Sequence, residues 1–149
     1  MNIEKEIQQE KFINEYQKLL VNLIFTQTWL QNKSKQFFEN ADVTQQQYNI
    51  LRILRGAHSA LSTLQIRERM MDKMSDTSRI VDRLVIKGLV KKTTNKLDKR
   101  LVCITITSKG LTLLSITDPN EVELINTLNT LTPNEATTLS NLLDKLRGK

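Results

Sequence analysis

Apolar residues recur at helical spacing over most of the chain, and the first such stretch is the longest. Between residues 3 and 38 this spacing continues with neither Gly nor Pro in the stretch, which predicts one long helix. Thr44, with Gln47 three residues later, is the pattern of a capping box, in which each side chain accepts a hydrogen bond from the other residue's backbone. This pattern predicts a second helix that ends at Gly56.

Two shorter helices are expected next. The third opens at Ser62 or Thr63 and continues to about Met70. The fourth begins between residues 72 and 75 and runs to Lys87, where Gly88 supplies the left-handed residue that commonly ends a helix. Candidate core contacts of the third helix are Leu64, Ile66 and Met70. The fourth helix has an apolar stripe of Thr77, Ile80, Val81 and Leu84, and a polar stripe of Ser75, Asp76, Arg79, Asp82, Arg83 and Lys87.

The pattern changes from helical to extended after Gly88. Residues 89–94 and 101–107 are rich in β-branched side chains and flank the polar segment 95–100, which predicts a hairpin with a basic tip. A helical pattern then runs from residue 108 to about 131, and Pro119 inside it is expected to kink or divide it. Thr132 and Pro133 start a last helix, with an apolar stripe of Leu139, Leu142, Leu143 and Leu146.

Composition favours one helix-rich domain. The 149 residues are 39% apolar, and the four Gly and two Pro are too few for a turn-dense β-sandwich. We therefore predict a mainly α fold with a small β-hairpin, in a single domain over 1–149. No apolar stretch approaches the roughly 20 residues of a membrane span, and the charged N-terminus does not resemble a secretory signal. The single cysteine, Cys103, cannot form an internal disulfide, so we expect a cytoplasmic protein without membrane association.

Positive charge is concentrated in the middle of the chain. The whole sequence has 22 Lys and Arg against 16 Asp and Glu, a net charge of +6. Residues 61–100 alone contain eleven basic and five acidic side chains, so this segment carries the entire excess, between nearly neutral flanks. Such a distribution is typical of a surface that binds a polyanion, although a solvated basic face without a partner would look the same.

Three helices followed by a hairpin, with basic residues on the last helix and on the hairpin, indicate a winged helix-turn-helix. Double-stranded DNA is the predicted partner, because an α-helix fits the major groove, where Arg79 can make two hydrogen bonds to a guanine. Asp76 or Asp82 could orient an arginine or accept from the amine of cytosine. The predicted DNA-binding residues are Ser75, Asp76, Ser78, Arg79 and Arg83 on the helix, and Asn95, Lys96, Asp98, Lys99 and Arg100 at the hairpin tip.

Five runs of sequence add a family resemblance. They are residues 44–54 (Thr-Gln-Gln-Gln-Tyr-Asn-Ile-Leu-Arg-Ile-Leu), 78–84 (Ser-Arg-Ile-Val-Asp-Arg-Leu), 87–90 (Lys-Gly-Leu-Val), 98–100 (Asp-Lys-Arg) and 104–110 (Ile-Thr-Ile-Thr-Ser-Lys-Gly). With these runs the chain resembles the multiple antibiotic resistance regulator (MarR) family of bacterial transcription factors over essentially its whole length. Many members have Gly and Pro before the recognition helix, whereas residues 71–75 here have neither.

The resemblance implies a homodimeric DNA-binding regulator, most often a repressor, on a pseudo-palindromic operator. It implies dimerisation helices at 1–40 and 108–149 around a winged helix-turn-helix lobe at 41–107. Asp98 would hold Arg100 where that arginine enters the minor groove. Many relatives also respond to a small aromatic or phenolic effector, for which Trp29, Phe37 and Tyr48 are the candidate pocket residues.

Other chemistry is not expected. The sequence has no Ser-His-Asp set, Cys-His pair or phosphate-binding glycine loop, so we predict no enzymatic activity and no cofactor. His58 and Cys103 are too few for a metal centre, and Cys103 is interpreted as a packing residue within a strand. Lys91 and Lys92 are interpreted mainly as solvated hairpin charges, with a phosphate contact as the alternative. A winged-helix protein-interaction module and a non-specific architectural DNA-binding protein remain alternative functions.

Overall fold

The computed structural model describes residues 2–94 and 102–148, and it is mainly helical with one small sheet. The three strands lie in the order β1-β3-β2 and are antiparallel, with Leu61 opposite Ile104 and Val90 opposite Ile106. The predicted fold class is therefore confirmed. The elements in chain order are α1 (Ile3–Glu6), α2 (Glu15–Asn40), α3 (Gln45–Ala57), β1 (Leu61–Ser62), α4 (Thr63–Arg69), α5 (Thr77–Ile86), β2 (Val90–Thr94), β3 (Val102–Ile106), α6 (Ser108–Asn126) and α7 (Pro133–Leu146).

The N-terminal region is two helices, so the prediction of one helix over 3–38 is wrong. Asn14 is extended, and its side chain accepts a hydrogen bond from the backbone N–H of Gln17, which caps the start of α2. The short α1 folds back beside α2, where the Lys18 ammonium lies 2.5 Å from the Glu4 carboxylate. Because apolar spacing continues on both sides of the break, periodicity alone does not reveal it.

The caps of α3 and α4 match the sequence pattern. Thr44 and Gln47 form the predicted capping box, and Ser62 forms a second one with Gln65. The end of α3 lies one residue beyond the predicted Gly56, because His58 takes the left-handed conformation that terminates it. In α4 the predicted core contacts Ile66 and Met70 are buried, but Leu64 is 54% exposed, so its assignment to the core is wrong.

Helix α6 passes through Pro119 without interruption, so the prediction that this proline could divide the helix is wrong in that respect. Proline has no N–H to donate to the carbonyl four residues earlier, which here belongs to Ser115. Side chains just before and after the proline, Asp118 and Glu121, are held by residues of α3. The helix ends at Asn126 rather than near residue 131.

The core lies where α3, α4, α5 and the sheet meet the first half of α6. Its fully buried side chains are Ile50, Leu51, Ile66, Val81, Leu84, Ile104 and Leu114. In contrast, α7 contains no buried residue, and apolar side chains of α2 and the end of α6 are also exposed. The winged part of the chain is thus packed on itself, while both terminal regions present apolar surface to solvent. Across residues 2–94 and 102–148, no helix combines the length and apolar character that a membrane crossing requires.

Candidate nucleic-acid interface

Helix α5 has one face buried in the core and one charged face exposed to solvent. Val81 and Leu84 are completely buried in the core, and Thr77 is nearly so. Ser78, Arg79, Asp82 and Arg83 are exposed on the remaining surface. The predicted apolar and polar stripes are therefore observed from Thr77 onward, and the buried face fixes the direction in which the arginines project.

The helix begins at Thr77, later than the predicted start between residues 72 and 75. Asp76 precedes it and caps it, because its carboxylate accepts a hydrogen bond of 3.1 Å from the backbone N–H of Arg79. Ser75 lies in the turn, and its hydroxyl donates to the carbonyl of Asp72 at 2.7 Å. Ser75 and Asp76 are therefore not part of a helical stripe, and Asp76 holds the backbone of Arg79 rather than its guanidinium.

Side chains from neighbouring helices stabilise the turn between α4 and α5. Asn49 of α3 accepts a hydrogen bond of 3.1 Å from the backbone N–H of Met71. The hydroxyl of Thr77 donates to the sulfur of Met70 at 3.4 Å, and Met70 is itself buried in the core. These contacts define the turn although it has neither glycine nor proline.

The hairpin lies beside α5, and an ion pair joins them. The ammonium of Lys92, on β2, contacts the carboxylate of Asp82. Lys87, which follows α5, instead pairs with Asp42 at 3.0 Å. These two lysines therefore neutralise acidic residues of the protein, whereas Lys91 is exposed on β2.

Arg79 and Arg83 differ from those lysines in their surroundings. Neither guanidinium forms an ion pair with any side chain that the structure describes, and both are exposed. They lie four positions apart, so they project from the same face on successive turns. The face is consequently positive and open to solvent. The predicted tip residues Asn95, Lys96, Asp98, Lys99 and Arg100 lie outside the described residues.

The three aromatic residues assigned to an effector pocket differ in their surroundings. Phe37 and Tyr48 are buried core residues whose rings are 5.1 Å apart in an edge-to-face arrangement. Trp29 lies on α2 and is 37% exposed. A mainly apolar cavity of about 510 Å³ between the end of α2 and α6 is lined by residues that include Leu89, Leu113 and Ile116.

The single cysteine of the sequence, Cys103, lies in the sheet. Cys103 is a partly buried, free thiol on β3, opposite Thr93 of β2. Among residues 2–94 and 102–148, no three His, Cys, Asp or Glu side chains are grouped to hold a metal ion.

A set of polar contacts that the sequence does not reveal joins α3 to α6. Arg55 donates through both terminal nitrogens to Asp118, at 2.8 and 3.0 Å, and this bonding raises the pKa of the guanidinium. Arg52 forms an ion pair with Glu121, which also accepts a hydrogen bond of 3.1 Å from the Tyr48 hydroxyl. We call these five residues the interhelix clamp. The partners are between 63 and 73 positions apart in the sequence, so no local pattern relates them.

Part of the chain matches a known protein family. Residues 43–102, which span α3 to the first residue of β3, match the model of the MarR family. The region from α3 to the start of β3 is therefore similar to that family, and the match covers less than half of the chain. A search of curated protein sequences finds no match.

Solved structures of transcriptional regulators share the fold over most of the chain. A cysteine-to-serine variant of MarR from E. coli in complex with operator DNA is 24% identical, covers 92% of this chain and 99% of its own, and has a TM-score of 0.79. A MarR transcription factor from Planctomyces limnophilus is 29% identical, with coverages of 90% and 98% and a TM-score of 0.69. An organohalide-sensing transcriptional regulator in its 2,4-dichlorophenol-bound form is 20% identical, with coverages of 91% and 81% and a TM-score of 0.81.

Proposed function

We propose that the protein is a sequence-specific DNA-binding transcriptional regulator that acts as a homodimeric repressor on a pseudo-palindromic operator. The observation that carries this proposal is the pair Arg79 and Arg83, exposed on α5 and without an ion-pair partner among the described residues. The opposite face of α5 is anchored in the core, so the arginines project from a rigid element. The similar fold of a regulator bound to operator DNA supports the same reading.

The dimensions of α5 suit the major groove. Its ten residues span about 15 Å, and a groove of roughly 12 Å width accepts a helix. In this placement Arg79 makes two hydrogen bonds to a guanine, and Ser78 and Arg83 contact bases or phosphates. In the same placement Ser75 and Asp76, at the start of the helix, lie close to the DNA phosphate backbone. The tip residues Asn95, Lys96, Asp98, Lys99 and Arg100 complete the proposed interface, with Arg100 in the minor groove.

A second copy of the chain is the proposed partner of the exposed apolar surface. On α7, Leu139, Leu142 and Leu146 lie on one face and are between 46% and 58% exposed. Tyr16 on α2 is 81% exposed, and Ile125 at the end of α6 is 54% exposed. Apolar side chains repeated along one helix face are costly to leave in water, which favours burial against another surface. The proposed organisation is one unit over 1–149, with the lobe 41–107 between dimerisation helices 1–40 and 108–149.

The effector class that we propose is a small aromatic molecule that releases the repressor from DNA. A regulator of the same fold has been solved with 2,4-dichlorophenol. Trp29 is the only tryptophan of the chain, so its fluorescence reports on binding near α2. Titration with 2,4-dichlorophenol is expected to change this fluorescence and to weaken operator binding. If 2,4-dichlorophenol changes neither the Trp29 fluorescence nor the affinity for the operator, the proposal of a phenolic effector is contradicted.

The test of DNA recognition begins with selection of a preferred duplex from random sequences, followed by gel-shift titration at rising salt and with competitor DNA. The wild-type protein is expected to retain the selected duplex in the presence of competitor. Arg79→Ala should relax base preference at one position of each half-site, because a bidentate guanine contact contributes about 1–3 kcal/mol of discrimination. Lys11→Ala, which removes an exposed charge far along the chain from α5, is the matched control and should bind normally.

The alternatives have different outcomes in the same assay. Binding that competitor removes and that shows no preferred sequence would identify an architectural DNA-binding protein. Absence of any shift would favour a protein-interaction module. Sedimentation tests the dimer separately: Leu142→Glu should give a monomer, whereas Asn141→Glu, on the other side of α7, should not. A monomeric wild-type protein would contradict the homodimer.

A further inference from the structure

The interhelix clamp (Tyr48, Arg52, Arg55, Asp118 and Glu121) lies where the winged lobe meets the helix that continues toward the proposed dimer surface. Its α3 members are spaced by four and three residues, so they form one row along that helix. Its α6 members are three residues apart and face that row. Two helices are thus joined at two successive turns, which defines both their separation and their relative rotation.

The geometry of the clamp is specific although its contribution to stability is small. Both terminal nitrogens of Arg55 bond to the two oxygens of Asp118, and this planar fork constrains direction as well as distance. The side chains of Arg55 and Asp118 are 32% and 42% exposed, and solvent screening reduces the net energy of such pairs. The Tyr48 end is different, because the ring is buried against Phe37 and therefore anchors Glu121 to the core.

The position along α6 is what connects the clamp with DNA binding. Asp118 and Glu121 bracket Pro119, where the helix lacks one backbone hydrogen bond and bends most easily. Beyond this point the exposed apolar residues Val122 and Ile125 begin the surface that we assign to the second copy. Any bend at Pro119 therefore changes the angle between the winged lobe and the dimer surface.

We propose that Arg52, Arg55, Asp118 and Glu121 are positioning residues, which hold the two α5 helices of the dimer at the separation that the operator requires. The inference rests on the proposed function. Two recognition helices must meet successive major grooves roughly 34–36 Å apart. A lobe that rotates about Pro119 alters this separation without changing Arg79 or Arg83, so the clamp acts on the pairing of half-sites and not on contacts within one half-site.

The experiment compares duplexes with one half-site, with two half-sites at the selected spacing, and with two half-sites moved apart by one base pair. Asp118→Asn combined with Glu121→Gln is expected to lower affinity for the correctly spaced operator about tenfold or more, and to change half-site affinity less than twofold. The same variant should discriminate poorly between the two spacings. Lys35→Ala, which removes an exposed ion pair within α2, is the control and should behave as wild type.

A distance measurement makes the result independent of DNA. A spin label at Ile86→Cys, on the exposed end of α5, is introduced in a Cys103→Ser background. The distance distribution between protomers should be narrow for the wild-type clamp and broad for the double variant, while the melting temperature changes little. A separate variant that exchanges the two charges, Arg55→Asp with Asp118→Arg, should keep part of the narrow distance distribution and of the spacing preference that the double variant loses.

The outcomes separate this inference from the proposed function. Equal loss of affinity for half-site and full operator, or an unchanged distance distribution, would overturn the positioning role while leaving DNA recognition intact. A wild-type protein that selects no sequence would refute the proposed function, and one that yields no distance between protomers would refute the dimer. The clamp proposal would fail together with either of them.

Discussion

Substitution of Gly110 by alanine tests the packing at the junction of α6 and the sheet. Gly110 is buried near the start of α6, and its N–H donates to the Thr107 hydroxyl at 3.1 Å. A Cβ atom there would lie 2.4 Å from the carbonyl oxygen of Leu89 and 2.8 Å from the Ile106 side chain. The Leu89 backbone cannot easily retreat, because its oxygen accepts from Thr107 and its N–H donates to Leu84. The substitution must therefore displace α6.

The expected loss is substantial. Overpacking of a filled site typically lowers the free energy of unfolding by about 1–3 kcal/mol, and a clash with fixed backbone is expected to cost about 3 kcal/mol. Replacement of a helical glycine by alanine raises the free energy of unfolding by up to about 1 kcal/mol through helix propensity. The net loss of roughly 2–3 kcal/mol corresponds to a decrease of about 6–10 °C in melting temperature for a chain of this size. Circular dichroism at 222 nm during heating and during urea titration measures it.

Gly56→Ala is the matched control, because it makes the same change in another helix. Gly56 is exposed in α3, has no positive φ and would place its Cβ in open space. We expect a gain of roughly 0.5–1 kcal/mol from helix propensity. The reasoning is refuted if Gly110→Ala melts at or above the wild-type temperature, or if both variants lose the same stability.

Three further predictions concern a surface pair, a cap and the core. Lys92→Ala should weaken operator binding in a gel shift, because it leaves the negative charge of Asp82 unneutralised beside the proposed DNA-binding face. Adding Asp82→Asn should restore most of the affinity, and failure of this rescue would contradict the role of the pair. Thr44→Ala should cost about 1 kcal/mol in urea unfolding through loss of the α3 cap, and an unchanged midpoint would show that the cap is dispensable. Ile66→Ala should cost about 2–5 kcal/mol by creating a cavity, whereas a loss below 1 kcal/mol would mean that the core collapses around it.

The sequence predicted best those features that depend on neighbouring residues. The capping box of Thr44 with Gln47 and the helix start at Thr132 and Pro133 are confirmed, because a cap needs only a side chain and a backbone group a few positions apart. The strands of the hairpin follow from β-branched composition, and Gly88 has the positive φ of 70° expected after α5.

Predictions failed where a distant contact or a competing local hydrogen bond determines the conformation. Periodicity missed the break before Asn14, because its capping bond interrupts a pattern that otherwise continues. It placed the start of α5 too early, since the turn before Thr77 is held by Asn49 of another helix. It expected Leu64 in the core, but only the direction of α4 relative to its neighbours decides which apolar residue is covered.

The sequence by itself determined the winged arrangement, the concentration of basic charge between residues 61 and 100, and the face of α5 on which the arginines lie. The order of elements and the face of α5 follow from apolar periodicity, local capping and β-branched composition, and the basic charge follows from a count of residues. Only the tertiary structure decided that Lys92 neutralises Asp82 and that α3 joins α6 on both sides of Pro119. Such pairings depend on how elements far apart in the chain are oriented, and the sequence around a charged residue does not identify its ion-pair partner.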